Sequence, residues 1–304
     1  MVVQSIGYGS IWPDQHVFAP LEDQLVADLE AATTKPASVR RYQNESDMLA
    51  DLKAGALQFG STSSVQSLVP QASIMYLPYL YRDWAHFREI WGAGDNLVTR
   101  KINDEILQKA EMIVLGYTTI GARDCILVDK PIRKLSDFGG LEIRVDGAAV
   151  SQELFKALGA APRMVPYYDV EQALSTKSVM AGENSPFNML ALGWDRPCRY
   201  LSLTGHRFIL NYELVHQRFW GALDSAKRSV VTTAFSDFTA KFSREAEIAR
   251  TASLARFRAA KHIAVNQVSE TDQQDIAAAV RSFVDQFAVD HGLVQEIDWI
   301  RNGI

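Results

Sequence analysis

Along the first 120 residues the hydrophobic and polar positions switch repeatedly between two periods. VVQSIGY (2–8), SVRRY (38–42) and ALQFG (56–60) are short apolar or alternating runs with the two-residue period of strands. Between them, Phe18, Leu21, Leu25 and Leu29 recur at three- and four-residue steps, which predicts a helix from Pro13 to about Thr34. ESDMLADLKAG reads as a second helix, stopped by Gly55. This β-α-β-α-β order predicts a parallel sheet covered by helices. Ligands of such sheets sit beyond the carboxyl ends of the strands, so the loops GYGSIW and GSTSS are expected on one rim. A helix over 83–109 and a strand MIVLGY (112–117) follow.

The pattern then restarts. RDCILV, LEIRV, a helix over 148–158, PRMVP, a helix over 168–176 and SVMAGEN form a second alternating unit. Two long helical stretches close the chain, from Leu223 to about His262 and from Thr271 to His291. They are expected to pack across both units rather than build a third. The expected architecture is α/β and two-lobed, with several crossing connections. Lobe I takes 1–120 plus about 210–250, and lobe II takes 121–209 plus about 251–304.

Composition narrows this little. The 304 residues are 47% hydrophobic and 22% charged, ordinary for globular chains. The net charge of −5 implies no basic face for nucleic acid, and the pair Arg40-Arg41 reads as the end of a surface strand. No apolar run reaches the roughly 18 residues a membrane span requires. The chain opens on a strand without the charged and apolar regions of a secretory leader, so it is either cytoplasmic or lacks a removed leader. Cys125 and Cys198 are compatible with one disulfide or with two buried thiols, and neither has metal-ligand spacing.

Candidate chemistry is sparse. GYGSIW follows a strand and precedes a helix, as a dinucleotide fingerprint would, but Trp12 stands at the third glycine position and Pro13 follows. An NADP-dependent oxidoreductase is therefore the weaker alternative. There is no P-loop, G-x-S-x-G or H-E-x-x-H, and the six histidines form no i, i+4 pair. Arg144 raises a sharper question, because a charge inside the apolar strand LEIRV must face solvent or hold a partner. Arg123 lies where a polar turn enters RDCILV, and Asn184 follows the strand-like SVMAGE. Ends of neighbouring strands would bring these three together. An arginine fork pairs bidentately with a carboxylate, and an asparagine beside it donates to the same oxygens. Each arginine could equally pair with a local acid such as Asp124, Asp146 or Glu142.

The segment KPIRKLSDFGGLEIRVDGAAVSQELFKALGAAPRMVPYYDVEQALSTKSVMAGENSP resembles the core of the TRAP-transporter periplasmic solute-binding proteins. YQNESDMLADLKAGALQFGSTSS and IMYLPYLYRDWAHF extend the resemblance toward the amino terminus, to about residues 1–220 in all. It implies a two-lobed binding protein of type II-like fold that captures a small organic acid and hands it to the membrane subunits of a TRAP transporter. It further implies hinge closure, a periplasmic location with no leader in this sequence, a monomer, and no enzyme activity, cofactor or nucleic-acid partner. Carried over by position, Arg144 would form the salt bridge to the solute carboxylate. Arg123, Asn184 and Tyr167 would stand beside it, and Ser61 would contact polar solute groups from lobe I. Tyr8, Trp12 and Tyr79 are weaker rim candidates, more often core. Met180-Ala181-Gly182, Glu142, Lys177-Ser178 and the serine in E-N-S-P depart from the family pattern and leave the solute open. Trp194, Tyr212 and Trp220 hint at a ring-bearing or sugar acid. A receptor that reports solute to a sensor is a further alternative.

Overall fold

The strand-helix alternation is realised in a computed structural model that describes residues 4–92 and 94–302. In chain order it contains β1 (Ile6–Ser10), α1 (Ala19–Thr33), β2 (Ala37–Arg41), α2 (Glu45–Ala54) and β3 (Phe59–Thr62). Helices α3 (Trp84–Gly92) and α4 (Leu97–Ala110) lead into β4 (Met112–Leu127) and β5 (Glu142–Val145). Then come α5 (Ala149–Ala157), β6 (Ala161–Met164), α6 (Val170–Ser175), β7 (Ala181–Asn184) and α7 (Pro186–Ala191). The chain ends with β8 (Tyr200–His216), α8 (Gln217–Ala222), α9 (Ser225–Ala259), β9 (Ala264–Gln267), α10 (Glu270–Ala279), α11 (Arg281–Asp290) and α12 (Val294–Asn302).

Local chemistry sets the boundaries. Asn44 caps α2 by accepting from the Asp47 amide at 2.9 Å, and Gly55 ends it with φ of 73°. The single helix expected over 83–109 is two helices. Asn96 caps α4 through the Val98 and Thr99 amides, with the Thr99 hydroxyl accepting from the Asn96 amide. That reciprocal cap starts a new helix after Gly94, whose φ is 72°. Residues 2 and 3 of the expected first strand, and Ala93, lie outside the described residues. MIVLGY and RDCILV, expected as separate strands, are one strand, β4. The helix expected over 271–291 is divided into α10 and α11 at Val280.

The chain forms two compact units. Unit 1 comprises 1–72, 88–119 and 210–246, and unit 2 comprises 73–87, 120–209 and 247–304. Residues 73–87, expected in lobe I, thus fall in unit 2, where the Tyr79 amide donates to the His206 carbonyl at 3.0 Å. In unit 1, β1 lies between β2 and β3, parallel to both, while β8 runs antiparallel to β3 with Ser61 opposite Glu213. In unit 2, β5 lies between β6 and β7, parallel to both, while β4 runs antiparallel to β7, and β9 is parallel to β8. The strand pairing in each unit is therefore mixed rather than purely parallel.

Unit 1 owes much of its core to aromatic rings. Phe235, Phe238 and Phe242 recur on one face of α9 and pack on Tyr8 of β1 and on Phe18. Burying each ring is worth about 1.5–3 kcal/mol. Unit 2 has two apolar clusters. Ile143, Val145, Leu154 and Phe155 anchor one, and Val170, Leu174, Trp194 and Phe257 the other. Cys125 sits in the first and Cys198 in the second, both as free buried thiols.

Candidate functional site

In unit 2 the alternation of β5 turns Ile143 and Val145 into the apolar core and Arg144 to the other face of the strand. Arg144 is only 3% exposed. Its Nε donates to the Val165 carbonyl at 2.9 Å, and its guanidinium carbon lies 5.7 Å from the centre of the Trp194 ring. No carboxylate of the described residues comes within salt-bridge distance of it. Burial accordingly lowers its pKa, against the upward pull of Asp146 and Glu183 nearby.

Gly182, opposite Arg144 on β7, makes room for that tryptophan. A Cβ there would come 3.3 Å from Trp194 Cζ3. Trp194 in turn touches Tyr167 edge-on, with ring centres 6.4 Å apart. The Asn184 side-chain oxygen accepts from the Ser185 amide at 2.8 Å and from Asn188 at 3.3 Å. Arg144 and Tyr167 thus both lie against Trp194, and Asn184 follows Gly182 by two residues on β7.

Arg123 has an internal partner. Its Nε and Nη2 both engage the Glu183 carboxylate, with Nη2 at 2.6 Å, and Nη2 also reaches the Glu183 carbonyl at 2.7 Å. Glu183 is fully buried and also accepts from Arg207 Nη2 at 2.8 Å and lies 3.3 Å from His206 Nε2. Burial alone would raise its pKa, but Arg123 and Arg207 hold it well below the usual carboxylate range. Arg207 completes its contacts with Ser151 at 2.7 Å, Asp146 at 3.4 Å and the ring of Tyr76, 5.1 Å from its centre. His206, deep in the same cluster, is pushed down by burial, toward the neutral form. The local acids considered for the arginines have other partners. Asp124 pairs with Arg250 at 2.7 Å, and Glu142 pairs with Arg163.

The lobe I candidates surround another carboxyl. The hydroxyls of Tyr8, Ser61 and Thr118 donate to Glu213 at 2.9, 2.8 and 2.7 Å. Among the described residues no cation pairs with it, and burial raises the Glu213 pKa to about 7. Trp12 is buried, stacked on His16 with ring centres 4.4 Å apart and edge-on to Phe18, which makes it core. Tyr79 belongs to unit 2, where its hydroxyl donates to the Thr204 carbonyl at 3.2 Å and its backbone takes a positive φ of 49°. Glu183, Arg207 and Glu213 were not foreseen as partners. The one available signal was their charge inside otherwise apolar strands.

The glycines of GYGSIW have a packing role. A Cβ on Gly9 would approach Leu57 Cδ2 to 2.5 Å and Met48 Cγ to 2.8 Å. Arg41, read as a surface residue, is half-buried against Glu22 of α1. Among the described residues no group of histidine, cysteine or acidic side chains is placed to hold a metal, and no helix is long and apolar enough to cross a membrane.

Both units are mixed α/β, and in one of them Arg144 is buried with no carboxylate of the described residues within salt-bridge distance. The chain belongs to the bacterial extracellular solute-binding proteins, family 7, which it matches over residues 36–290. It is therefore a receptor-type chain and not an oxidoreductase. It is 28% identical to a solute-binding protein of Sulfitobacter over 67% of this chain and 61% of that one. It is 24% identical to a C4-dicarboxylate-binding protein of Bacillus subtilis over 74% and 63% of the two chains. The matches thus span about six tenths of the length of these relatives. A TRAP periplasmic solute-binding protein from Chromohalobacter salexigens, solved with bound D-glucuronate, shares the fold, with a TM-score of 0.89 over 99% of both chains at 21% identity.

Proposed function

We propose that this chain captures a small carboxylate-bearing solute outside the cytoplasmic membrane and presents it to the membrane subunits of a TRAP-type transporter. Arg144 is the anchor, and the observation that carries this reading is its burial without an internal counter-charge. An unpaired buried cation is costly, and a solute carboxylate supplies what the fold withholds. Trp194 lies against the guanidinium, and Asn184 and Tyr167 are the polar neighbours available to a bound acid. Arg123 supports the site through Glu183 rather than as a second free fork. Sugar acids are the first solutes to try, because D-glucuronate occupies a structural neighbour. C4-dicarboxylates are the competing class, from the name of the Bacillus relative.

Calorimetry with a panel of both classes tests the reading. Arg144→Ala is expected to weaken binding by about 2–5 kcal/mol, the usual loss for one member of a buried charge pair. Arg144→Lys is expected not to restore it, since a point charge cannot replace the planar fork. Unchanged affinity in both variants would end the proposal.

A further inference from the structure

The arginines and acids of unit 2 do not balance. Arg123, Arg144 and Arg207 are each under a tenth exposed, at 6%, 3% and 1%. The acids in contact or electrostatic reach are Glu183, shared by Arg123 and Arg207, and Asp146, which lies 3.4 Å from Arg207 and acts on Arg123 and Arg144. His206 adds no full charge, because burial favours its neutral form. Asp124 and Arg250 form a separate neutral pair. Three guanidinium groups therefore face two carboxylates, and one positive charge remains.

We propose that this single uncompensated charge makes unit 2 selective for monocarboxylates over dicarboxylates. The inference rests on Arg144 as the anchor and adds the charge its solute must carry. One carboxylate brings the cluster to neutrality. A second would find Arg123 and Arg207 already held by Glu183, and would either stay unpaired or compete with an internal carboxylate that already accepts from Arg123 Nε, Arg123 Nη2 and Arg207 Nη2. Burying a carboxylate without a counter-charge is strongly unfavourable. Discrimination thus comes from the absence of a spare cation, a repulsive device and not an added contact.

The test uses acids matched in length that differ by one charge, D-gluconate with D-glucarate and succinamate with succinate, titrated into the whole protein by calorimetry. The monoacid of a pair is expected to bind at least tenfold tighter. Removing an internal negative charge is expected to narrow that ratio at least threefold, by Glu183→Gln or, where that variant does not fold, by Asp146→Asn at a partly exposed position. A diacid that binds as tightly as its monoacid, or a ratio unmoved in Asp146→Asn, would overturn the inference while leaving the anchor intact. Failure of every acid to bind would overturn the anchor and this inference together.

Discussion

Two buried glutamates, one in each unit, sit on β-strands with similar mixed pairing and carry opposite protonation tendencies. Both are fully shielded from solvent. Glu183 lies between two guanidinium groups and is held ionised. Glu213 has only the hydroxyls of Tyr8, Ser61 and Thr118, and its pKa rises to about 7. Hydroxyls satisfy hydrogen bonding but supply no net charge, so desolvation wins in unit 1 and Coulomb attraction wins in unit 2. Unit 2 is thereby a charged framework around Arg144, whereas the unit 1 cluster is close to neutral.

The largest effect should come from breaking the charged framework. Glu183→Leu leaves Arg123 and Arg207 buried and unpaired, and denaturant unfolding should show a loss of about 3–5 kcal/mol. Loss below 1 kcal/mol would show that the two arginines reach water or other acids.

The next effect is a pH dependence that belongs to unit 1. Glu213 titrates at about 7 in the fold and near 4.5 when unfolded. Between those values the folded state holds the proton that the unfolded state releases. Its contribution to stability therefore falls as pH rises through that window, by about 3 kcal/mol at most. Glu213→Gln should remove this decline and gain on wild type above pH 7 in urea melts. Glu183 has the reverse sign, its stabilisation being present above the unfolded carboxylate pKa and lost only toward acid. A wild-type profile that Glu213→Gln leaves unchanged would break the contrast.

The smallest effect expected is at Gly182. An alanine Cβ must displace Trp194, which lies against Arg144, so Gly182→Ala should cost about 1 kcal/mol of stability. Trp194 fluorescence reports the shift, and an unchanged spectrum with full stability would show that the ring has slack.

The arrangement of β1 through α2 and of β5 through β7 was legible because short strands alternate with helices there and the turns carry Gly, Asn or Pro. Strand β8 was not. In YLSLTGHRFILNYELVH both faces are buried, and Thr204, His206, Arg207, Asn211 and Glu213 interrupt any alternation. Two of them, His206 and Arg207, meet Glu183, and Glu213 is itself a third, which is why the strand read as irregular. Arg144 was recognisable as a charge in an apolar strand, and Tyr167 and Asn184 through resemblance. That Arg123 serves Glu183 was not recognisable, because residues sixty apart meet only once β4 and β7 pair, with Cys125 opposite Glu183. Strand β9 escaped for a simpler reason, since AVNQ is short and half-exposed and gains its order from pairing with β8.

On the proposed function, Arg144 is a buried cation that no carboxylate of the described residues pairs. Thermal melts of wild type and Arg144→Met, each with and without a saturating sugar acid, test this directly. The methionine conserves much of the packing volume while removing the charge. Without solute the variant should melt at or above the wild-type temperature, and with solute only the wild type should gain, as mass action requires. A variant that is several kcal/mol less stable without solute, or that still gains with it, would contradict the claim.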